Sequence, residues 1–540
     1  IVKSIVGANA AENAKAVTVN AAKAVDVEIS NNGASKFTGA ITVNAALAKE
    51  VNVANAEGGL TLNAAKAADS AGNGIVVAGI DDSGAVITTG SYGTKTAGVI
   101  TKQGLVSVTG GTGSADTATI SAAGYVKVTS NAIETLNLSA NAANVEYEIA
   151  GTAATTYNLS GANDVVLTGN ESSFDGKTVT DTTTAGTTAV KITTLDDSDL
   201  SKVATDKIIV AHNAASKTLT VANNANIELA TDIATAFSVA GKNASSTVNL
   251  VVGDDTNASG AAITIETGTL TAATNITTVN LDATVGKFTA TATTLTNDNA
   301  AGTGATLNIT GSKDVSLGTV IAKEVNAGSS TGKITMTANG ANTSKTITTG
   351  TGADHITLNQ ALKFTVDAGN GDNTVVITAA DTASSIATGS GADTVTIGTT
   401  NSVVVVTGAG DDTVNFNADS DSIIIMGDGT SDKIIFSAAH DLTNNANFAV
   451  TGVEIVDVAA AGATSVKITA AAFALDNTFK LIGTAAGTDD VLTVVNTSTT
   501  AGAVIDASGV TFNSTQDAFL SLQGAAKLAD TITGSAKNDT

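Results

Sequence analysis

The sequence predicts an all-β fold, a parallel β-solenoid or β-roll built from stacked 19–20-residue coils with very little helix. Short segments alternate between apolar and polar residues and end at Gly, Asn, Asp or Ser, which is the signature of strands and turns. Small and β-branched residues dominate and aromatic residues make up only 3% of the chain, a composition that suits tightly stacked strands. One glycine–acid motif also recurs at a spacing that fits the length of a solenoid coil.

The recurring motif lies between residues 350 and 436. It consists of Gly-x-Gly, an acidic residue or Asn, and then alternating apolar residues. The first glycines of the five copies are 19, 20, 19 and 19 residues apart: Gly350, Gly369, Gly389, Gly408 and Gly427. This regularity predicts that the turns stack on one another along one edge of the coils. The opposite edge carries segments that do not match one another, such as 360–363 and 380–383.

The stacked turns predict a column of calcium ions. A Gly-x-Gly turn permits positive φ and directs backbone carbonyls toward a shared point, while the acidic residue adds carboxylate oxygens. Calcium takes 6–8 oxygen ligands of both kinds. Carboxylates on coils ~4.8 Å apart repel one another by roughly 3 kcal/mol at an effective dielectric constant of ~20. Divalent ions between the coils would reverse that repulsion, so we expect the block to be disordered without calcium.

The predicted metal ligands are the glycines and acidic residues of the five turns. Asn373 replaces Asp in the second copy and has Asp372 beside it. The fifth copy has one extra residue before Asp432, where Asp428 is an alternative ligand. The complete set is Gly350, Gly352, Asp354, Gly369, Gly371, Asp372, Asn373, Gly389, Gly391, Asp393, Gly408, Gly410, Asp411, Asp412, Gly427, Asp428, Gly429 and Asp432.

Other segments predict further coils. Three related units within residues 15–66 each end a strand with Asn, namely Asn20, Asn44 and Asn63, whose side chains we expect to bond their own turns. A second pattern of six residues reads apolar, Glu or Thr, any residue, apolar, Asn or Asp, apolar. It begins at Ile133-Glu134, Ile276-Thr277 and Val453-Glu454. Weaker glycine–acid turns occur at 110–116, 161–164 and 253–255, where ordinary turns are the simpler interpretation. One short helix is expected around residues 469–475.

Repeat type predicts four regions. Residues 1–345 form a β-rich solenoid or a series of β domains, and residues 346–440 form the calcium-binding roll. Residues 441–533 form a β-rich domain with one short helix, and residues 534–540 open a further repeat. Because the sequence begins Ile1-Val-Lys without an initiator Met or a signal-peptide pattern, we expect an internal fragment or a processed product.

Charge and composition argue against several functions. A net charge of −24 disfavours nucleic acid as a partner, because phosphate binding needs clustered basic residues. There is no Cys, which excludes disulfides and zinc–thiolate sites, and no apolar stretch approaches the 18 residues of a transmembrane helix. We therefore predict no transmembrane segment and no nucleic-acid partner.

No catalytic constellation is evident, so an enzyme is not predicted. The three histidines, His212, His355 and His440, lack any metal-binding spacing. Gly328-Ser-Ser-Thr-Gly332 matches a nucleophile elbow but precedes a strand pattern rather than the required helix. The acidic pairs 196–197 and 254–255 lack the aromatic platforms usual in sugar clefts, since the chain has no Trp and four Tyr.

The Gly-x-Gly-x-Asp block resembles the calcium-binding rolls of the repeats-in-toxin (RTX) family. The wider chain resembles RTX-type surface-layer (S-layer) proteins of Gram-negative bacteria, which share its composition and strands such as residues 133–138. It departs from the family in its 19-residue rather than 18-residue period and in its lack of Pro.

The resemblance implies type I secretion, folding in extracellular calcium and assembly into a two-dimensional lattice on the bacterial cell surface. It also implies anchoring to lipopolysaccharide through a region outside this chain. The alternative is the stalk of an RTX adhesin or biofilm matrix protein. An enzyme or toxin with an RTX tail is a third, less favoured interpretation.

Overall fold

The computed structural model describes most of the chain, and the account below concerns those residues alone. The described ranges are 2–5, 14–30, 36–64, 74–80, 84–89, 94–96, 99–102, 104–111, 113–151, 154–211, 217–231, 233–253, 263–273, 275–296, 304–340, 344–381, 383–458, 465–483, 490–513, 518–525 and 529–535. His212, Asp254, Asp255 and residues 536–540 therefore lie outside it.

The chain divides into two compact units, Ile1–Leu250 and Val251–Thr540. Both are β-solenoids, and the described coils amount to about 18 turns. The fold class that the sequence predicts is therefore confirmed, and the described part of residues 1–345 consists of solenoid coils rather than β-sandwiches. The four predicted regions do not follow the division into two units, and their boundaries stay a prediction.

The first unit contains short strands and one 3₁₀ helix at Glu171–Ser173, and its last strand extends two residues past the division. The strands are Val2–Ile5, Val17–Asn20, Asp26–Ser30, Ile41–Asn44, Glu50–Val53, Leu60–Ala64, Ile75–Ile80, Ala85–Thr89, Thr94–Thr96, Val99–Lys102, Gly104–Gly110, Thr117–Ala122, Tyr125–Asn131, Thr135–Ala140, Val145–Ala150, Thr156–Gly161, Val165–Gly169, Thr178–Asp181, Thr188–Ile192, Ser198–Leu200, Val203–Ala204, Lys207–Val210, Lys217–Val221, Ala225–Leu229, Ile233–Gly241 and Ser246–Val252.

The described residues of the second unit show the same pattern and contain one α-helix, Ala470–Phe473. Its strands are Ile263–Ala272, Ile276–Ala283, Gly286–Leu295, Thr306–Gly311, Val315–Ile321, Glu324–Asn326, Ile334–Asn339, Ser344–Thr348, His355–Asn359, Lys363–Asp367, Thr374–Ala379, Ser384–Ala387, Thr394–Ile397, Val403–Val406, Thr413–Phe416, Ile423–Ile425, Lys433–Phe436, His440–Asp441, Ala449–Thr451, Ile455–Asp457, Ser465–Thr469, Lys480–Ile482, Asp490–Val495, Val504–Asp506, Thr511–Phe512, Ala518–Gln523 and Thr531–Thr533.

Each coil stacks on the next by parallel strand pairing. In the first unit, for example, Ile120 lies opposite Leu138, and Leu138 lies opposite Leu159. All three side chains are fully buried, because every second residue of a strand points into the space between the two sheets. The core is thus a set of aliphatic stacks, which explains how a chain with few aromatic residues can bury enough apolar surface. The strands Thr94–Thr96 and Val99–Lys102 differ, since they form an antiparallel pair.

The asparagines that end the strands of the first unit bond one another rather than their own turns. Asn44 Nδ2 donates to Asn20 Oδ1 (2.8 Å), and Asn63 Nδ2 donates to Asn44 Oδ1 (2.8 Å). Identical side chains in register on successive parallel strands favour such amide ladders. The expectation of local turn bonds was wrong because it treated each turn separately and ignored the coil beneath it.

The expected short helix is confirmed at Ala470–Phe473, within the range suggested by the sequence. Thr469 caps it, and its side-chain oxygen accepts a hydrogen bond from the Ala472 amide (3.1 Å). No helix in the described ranges has the length and apolar character needed to cross a bilayer.

Candidate metal site

The five glycine turns lie at one edge of the second unit and connect the same two sheets. The turn after Lys363–Asp367 leads into Thr374–Ala379, and the turn after Ser384–Ala387 leads into Thr394–Ile397. These four strands pair in parallel across the coils, Asp367 opposite Ala387 and Thr374 opposite Thr394. The turns are therefore stacked one per coil, as the spacing of the glycines predicts.

The stacking requires glycine because successive turns nearly touch. Gly391 and Gly410 have φ of +134° and +131°, a region that other residues rarely adopt. A Cβ at Gly410 would lie 1.9 Å from the carbonyl oxygen of Gly391, and one at Gly391 would lie 2.4 Å from that of Gly371. Glycine carbonyls thus point along the column toward the next coil.

A residue two or three positions after the second glycine of each turn forms a second column inside the turns. We call Asp354, Asn373, Asp393, Asp412 and Asp432 the turn ladder; each is at most 1% exposed. In every rung Oδ1 accepts a hydrogen bond from a backbone amide of the preceding coil. The donors and distances are Ile334 N to Asp354 (2.6 Å), Asp354 N to Asn373 (3.0 Å), Asn373 N to Asp393 (2.8 Å), Asp393 N to Asp412 (2.9 Å) and Asp412 N to Asp432 (2.7 Å).

The second oxygen of each ladder aspartate has no such partner. Oδ2 of Asp354, Asp393, Asp412 and Asp432 is buried and makes no hydrogen bond within the described residues. A buried polar atom without a partner is costly, and four in one column call for a common explanation. The hydroxyl of Thr388, close to Asp393, does not supply the missing bond, because it donates to the carbonyl of Thr407 (2.8 Å).

Asn373 indicates what surrounds that second position. Its Nδ2 donates to the carbonyl oxygens of Thr388 (3.0 Å) and Gly369 (3.3 Å). An aspartate in the same place would present a carboxylate oxygen, rather than a donor, to such carbonyl oxygens. Convergent oxygens of these two kinds are the ligands that calcium prefers.

Burial raises the pKa of three of the ladder carboxyl groups, those of Asp354, Asp393 and Asp432. It raises the pKa of Asp393 to about 6, and the negative charges of Asp412 and Asp372 add to the effect, which the hydrogen bond from the Asn373 amide opposes. Without a cation, protonation is therefore favoured at Asp354, Asp393 and Asp432, where a divalent ion would otherwise neutralise the charge.

This yields a pH prediction for the cation-free protein. The pKa of Asp393 in the folded state is higher than its ordinary value of 3.8, so the folded state binds that proton more tightly than the unfolded state does. In metal-free buffer we expect the free energy of unfolding to decrease as pH rises from about 4 through about 6. Urea denaturation at pH 4.5 and 7.5 measures this. Equal stability, or greater stability at pH 7.5, would contradict the prediction.

The acidic residues that neighbour the ladder point outward instead. Asp372, Asp411 and Asp428 are exposed. The Oδ1 atoms of Asp372 and Asp411 accept hydrogen bonds from the amides of Ala392 (2.9 Å) and Thr430 (3.0 Å) on the next coil. The extra residue of the fifth turn is accommodated before Asp432, which keeps its place in the ladder. The structure therefore separates the predicted ligands into a buried set and a solvent-facing set.

Sequence reasoning missed that glutamates extend this geometry. Glu454 Oε2 accepts a hydrogen bond from the Asp432 amide (2.8 Å), and Glu134 Oε2 accepts one from the Asp116 amide (2.8 Å). Asp116 belongs to the turn at 110–116 and is itself fully buried. The six-residue pattern in the sequence marks both positions, because each glutamate is the second residue of a copy, after Ile133 and after Val453.

The two described histidines, the Gly-x-Ser-x-Gly serine and the acidic pair at 196–197 have structural surroundings. His355 lies in a strand beside the first turn. His440 Nδ1 lies 2.6 Å from Asp419 Oδ1, among aromatic rings. Ser330 sits in a turn followed by the strand Ile334–Asn339 rather than by a helix. Asp196 pairs with Lys217 (2.5 Å), and Asp197 accepts a hydrogen bond from the Thr218 amide (2.7 Å).

The donor set fits calcium better than a metal held by clustered side chains. Within the described ranges, no group of three or more His, Cys, Asp or Glu side chains is placed to hold a metal. An ion in the column would thus rely on backbone carbonyls with one or two ladder carboxylates, a mixed oxygen set that calcium accepts. The buried Oδ2 atoms are the observation that favours such an ion.

Comparison with known proteins gave no match. No protein-family model, curated protein or solved structure matched this chain.

Proposed function

We propose that this chain is a structural S-layer subunit that folds on extracellular calcium and assembles into a two-dimensional lattice on a bacterial cell surface. One observation carries the proposal. Four buried carboxylate oxygens stand in register on stacked glycine turns without a hydrogen-bond partner, and we infer that a cation completes these turns. Calcium, present at millimolar concentrations outside cells, would complete them there.

In this proposal calcium neutralises the buried negative charge, and the chain provides the closely stacked turns and the oriented oxygen ligands. Gly371, Gly391 and Gly410 allow the turns to approach closely enough to share ions. The ladder carboxylates supply negative charge to the ion. Their burial disfavours the ionised form, and a bound cation would stabilise it. The Oδ1 bonds to backbone amides fix each carboxylate in place, so that an ion entering the column finds ligands already oriented. Folding would then depend on the calcium concentration.

Composition supports an extracellular structural role. The lack of Cys and Pro removes disulfide mispairing and slow prolyl isomerisation from folding, as suits a chain that crosses membranes unfolded and folds outside. With a net charge of −24, neighbouring subunits repel one another, and divalent ions bound between them would reduce that repulsion. Type I secretion and anchoring to lipopolysaccharide outside this chain follow from the resemblance to RTX S-layer proteins.

Electron microscopy of the purified chain tests the proposal. After dialysis into millimolar calcium we expect sheets with a regular repeat, and after dialysis into chelator we expect none. Calcium-dependent folding without sheets would overturn the lattice function in favour of an RTX adhesin or matrix stalk. No response to calcium would overturn the cation column as well.

A further inference from the structure

One outward face of the coils that carry the five glycine turns is aliphatic, whereas a solvated sheet face is usually polar. The side chains of Val404, Val406, Ile423 and Ile425 point away from the core on adjacent strands. Val404 lies opposite Ile423, and Val406 lies opposite Ile425. Ile425 is 41% exposed and the other three are partly exposed. We call these four residues the aliphatic face.

The rows that contain the aliphatic face are almost free of charge. One row continues through Ser385 and Thr365, and the other through Ala387 and Asp367. On the far side Ala449 and Thr451 follow the two isoleucines. Among these ten outward positions Asp367 alone is ionisable, in a chain with 50 acidic and 26 basic residues.

The opposite outward face of the same coils shows the expected polar pattern. One row contains His355, Thr374, Thr394, Thr413 and Lys433. The neighbouring row contains Thr357, Val376, Thr396, Asn415 and Ile435, whose aliphatic members are separated by polar ones. The coil geometry is common to both faces, so it does not explain why one carries a contiguous aliphatic block. A surface that breaks the polar pattern in this way marks a contact.

Charge and area indicate the occupant. Two copies of a strongly acidic chain repel one another over most of their surfaces, and a nearly neutral face is where they can meet at least cost. The five strands span roughly 250 Å² per copy, taking ~4.8 Å between strands. Two such faces bury about 500 Å², well below the roughly 1,200 Å² of a stable complex. The contact is thus weak alone and effective only when an array repeats it.

Periodicity favours the same partner. Sheet faces pack ~10 Å apart with their side chains interdigitated. A second copy carries rows with the same spacing between coils, so its ridges match the grooves of the first along the whole face.

We propose that the aliphatic face binds a second copy of this chain and forms one of the contacts of the lattice. The inference rests on the proposed function and names a surface that assembly uses. The turn ladder lies in the turns of the same coils, so folding of the turns also forms this face. Assembly would then follow calcium binding without an ion in the contact itself.

The test is a double substitution in the full chain, Val404→Thr with Ile425→Thr. Threonine keeps the β-branched shape and the strand propensity while replacing apolar surface by a hydroxyl. The matched control is Val376→Thr with Ile435→Thr, the same change on the opposite face. Circular dichroism during calcium titration verifies that both variants fold as the parent does. Electron microscopy and sedimentation then give the concentration at which each assembles.

We expect the aliphatic-face variant to need a roughly tenfold higher protein concentration to form sheets, with the control unchanged. Unchanged assembly of both variants would overturn this inference and leave the proposed function intact. If the parent chain forms no sheets, the proposed function fails. Sedimentation then decides the inference: weak self-association that the aliphatic-face variant abolishes supports it, and its absence overturns it.

Discussion

Replacing Asp393 with Asn is expected to stabilise the protein without calcium and to weaken its response to calcium. Asp393 Oδ1 accepts a hydrogen bond from the Asn373 backbone amide (2.8 Å). The side-chain oxygen of an asparagine at this position can accept the same bond. Its Nδ2 adds a donor among backbone carbonyls, as Asn373 does naturally. The buried charge disappears, so the cost of holding it without an ion disappears too. One carboxylate ligand is lost at the same time.

We expect the calcium concentration at the folding midpoint of Asp393→Asn to rise about tenfold, equivalent to roughly 1.4 kcal/mol. In metal-free buffer the same variant should unfold at a higher urea concentration than the parent. Asp393→Ala separates the two roles of the residue, because it also leaves the buried Asn373 amide without a partner. That loss costs about 1–3 kcal/mol in both conditions. Calcium titrations followed by circular dichroism give all these values.

Asp367→Asn is the matched control. Asp367 is exposed, and its Oδ1 accepts a hydrogen bond from the Gly369 amide (3.1 Å), a role that asparagine can keep. It removes the same charge from the same block but lies outside the ladder. If Asp367→Asn shifts the calcium midpoint as much as Asp393→Asn, the effect is one of net charge, and the ladder has no special role.

Replacing Gly410 with Ala should disrupt the stacked turns. The new Cβ would lie 1.9 Å from the Gly391 carbonyl oxygen, and φ at this position is +131°. Backbone atoms of the neighbouring coil cannot move aside as a flexible side chain could. We expect a loss of about 3 kcal/mol or more from strain and steric conflict together, and a calcium midpoint that is correspondingly higher.

Gly328→Ala provides the comparison for that substitution. Gly328 lies in an exposed turn of the same unit, and its nearest neighbour would be the Thr348 methyl group at 3.3 Å. We expect a change within about 1 kcal/mol there. Urea denaturation of both variants in millimolar calcium measures the difference. Equal stability of the two would show that the turns are not packed closely enough to require glycine.

The sequence predicts the coils because their period is written directly into it. Gly350, Gly369, Gly389, Gly408 and Gly427 set the length of a coil, and the alternation of residues such as Ile356 and Leu358 sets the inward face. Short-range patterns therefore suffice for the fold class. The short helix after Thr469 is visible for the same reason, since its capping residue lies next to it in the chain.

The contacts between coils could not be predicted from the sequence. Nothing in a single motif distinguishes Asp412, which bonds the coil before it, from Asp411, which bonds the coil after it. Which of the two points inward depends on the register of the next turn, about 19 residues away. The amide ladder through Asn20, Asn44 and Asn63 was missed for the same reason. Glu454, in turn, replaces a turn aspartate by reaching the Asp432 amide from a different local sequence.

Hydrogen–deuterium exchange of the full chain in chelator and in millimolar calcium tests the central claim most directly. We expect amides of residues 350–436 to exchange rapidly in chelator and to become protected when calcium is added. Peptides from residues 154–192, which lack the stacked Gly-x-Gly turns, provide the internal reference. Strong protection of residues 350–436 in chelator, unchanged by calcium, would contradict the claim that a cation completes these turns.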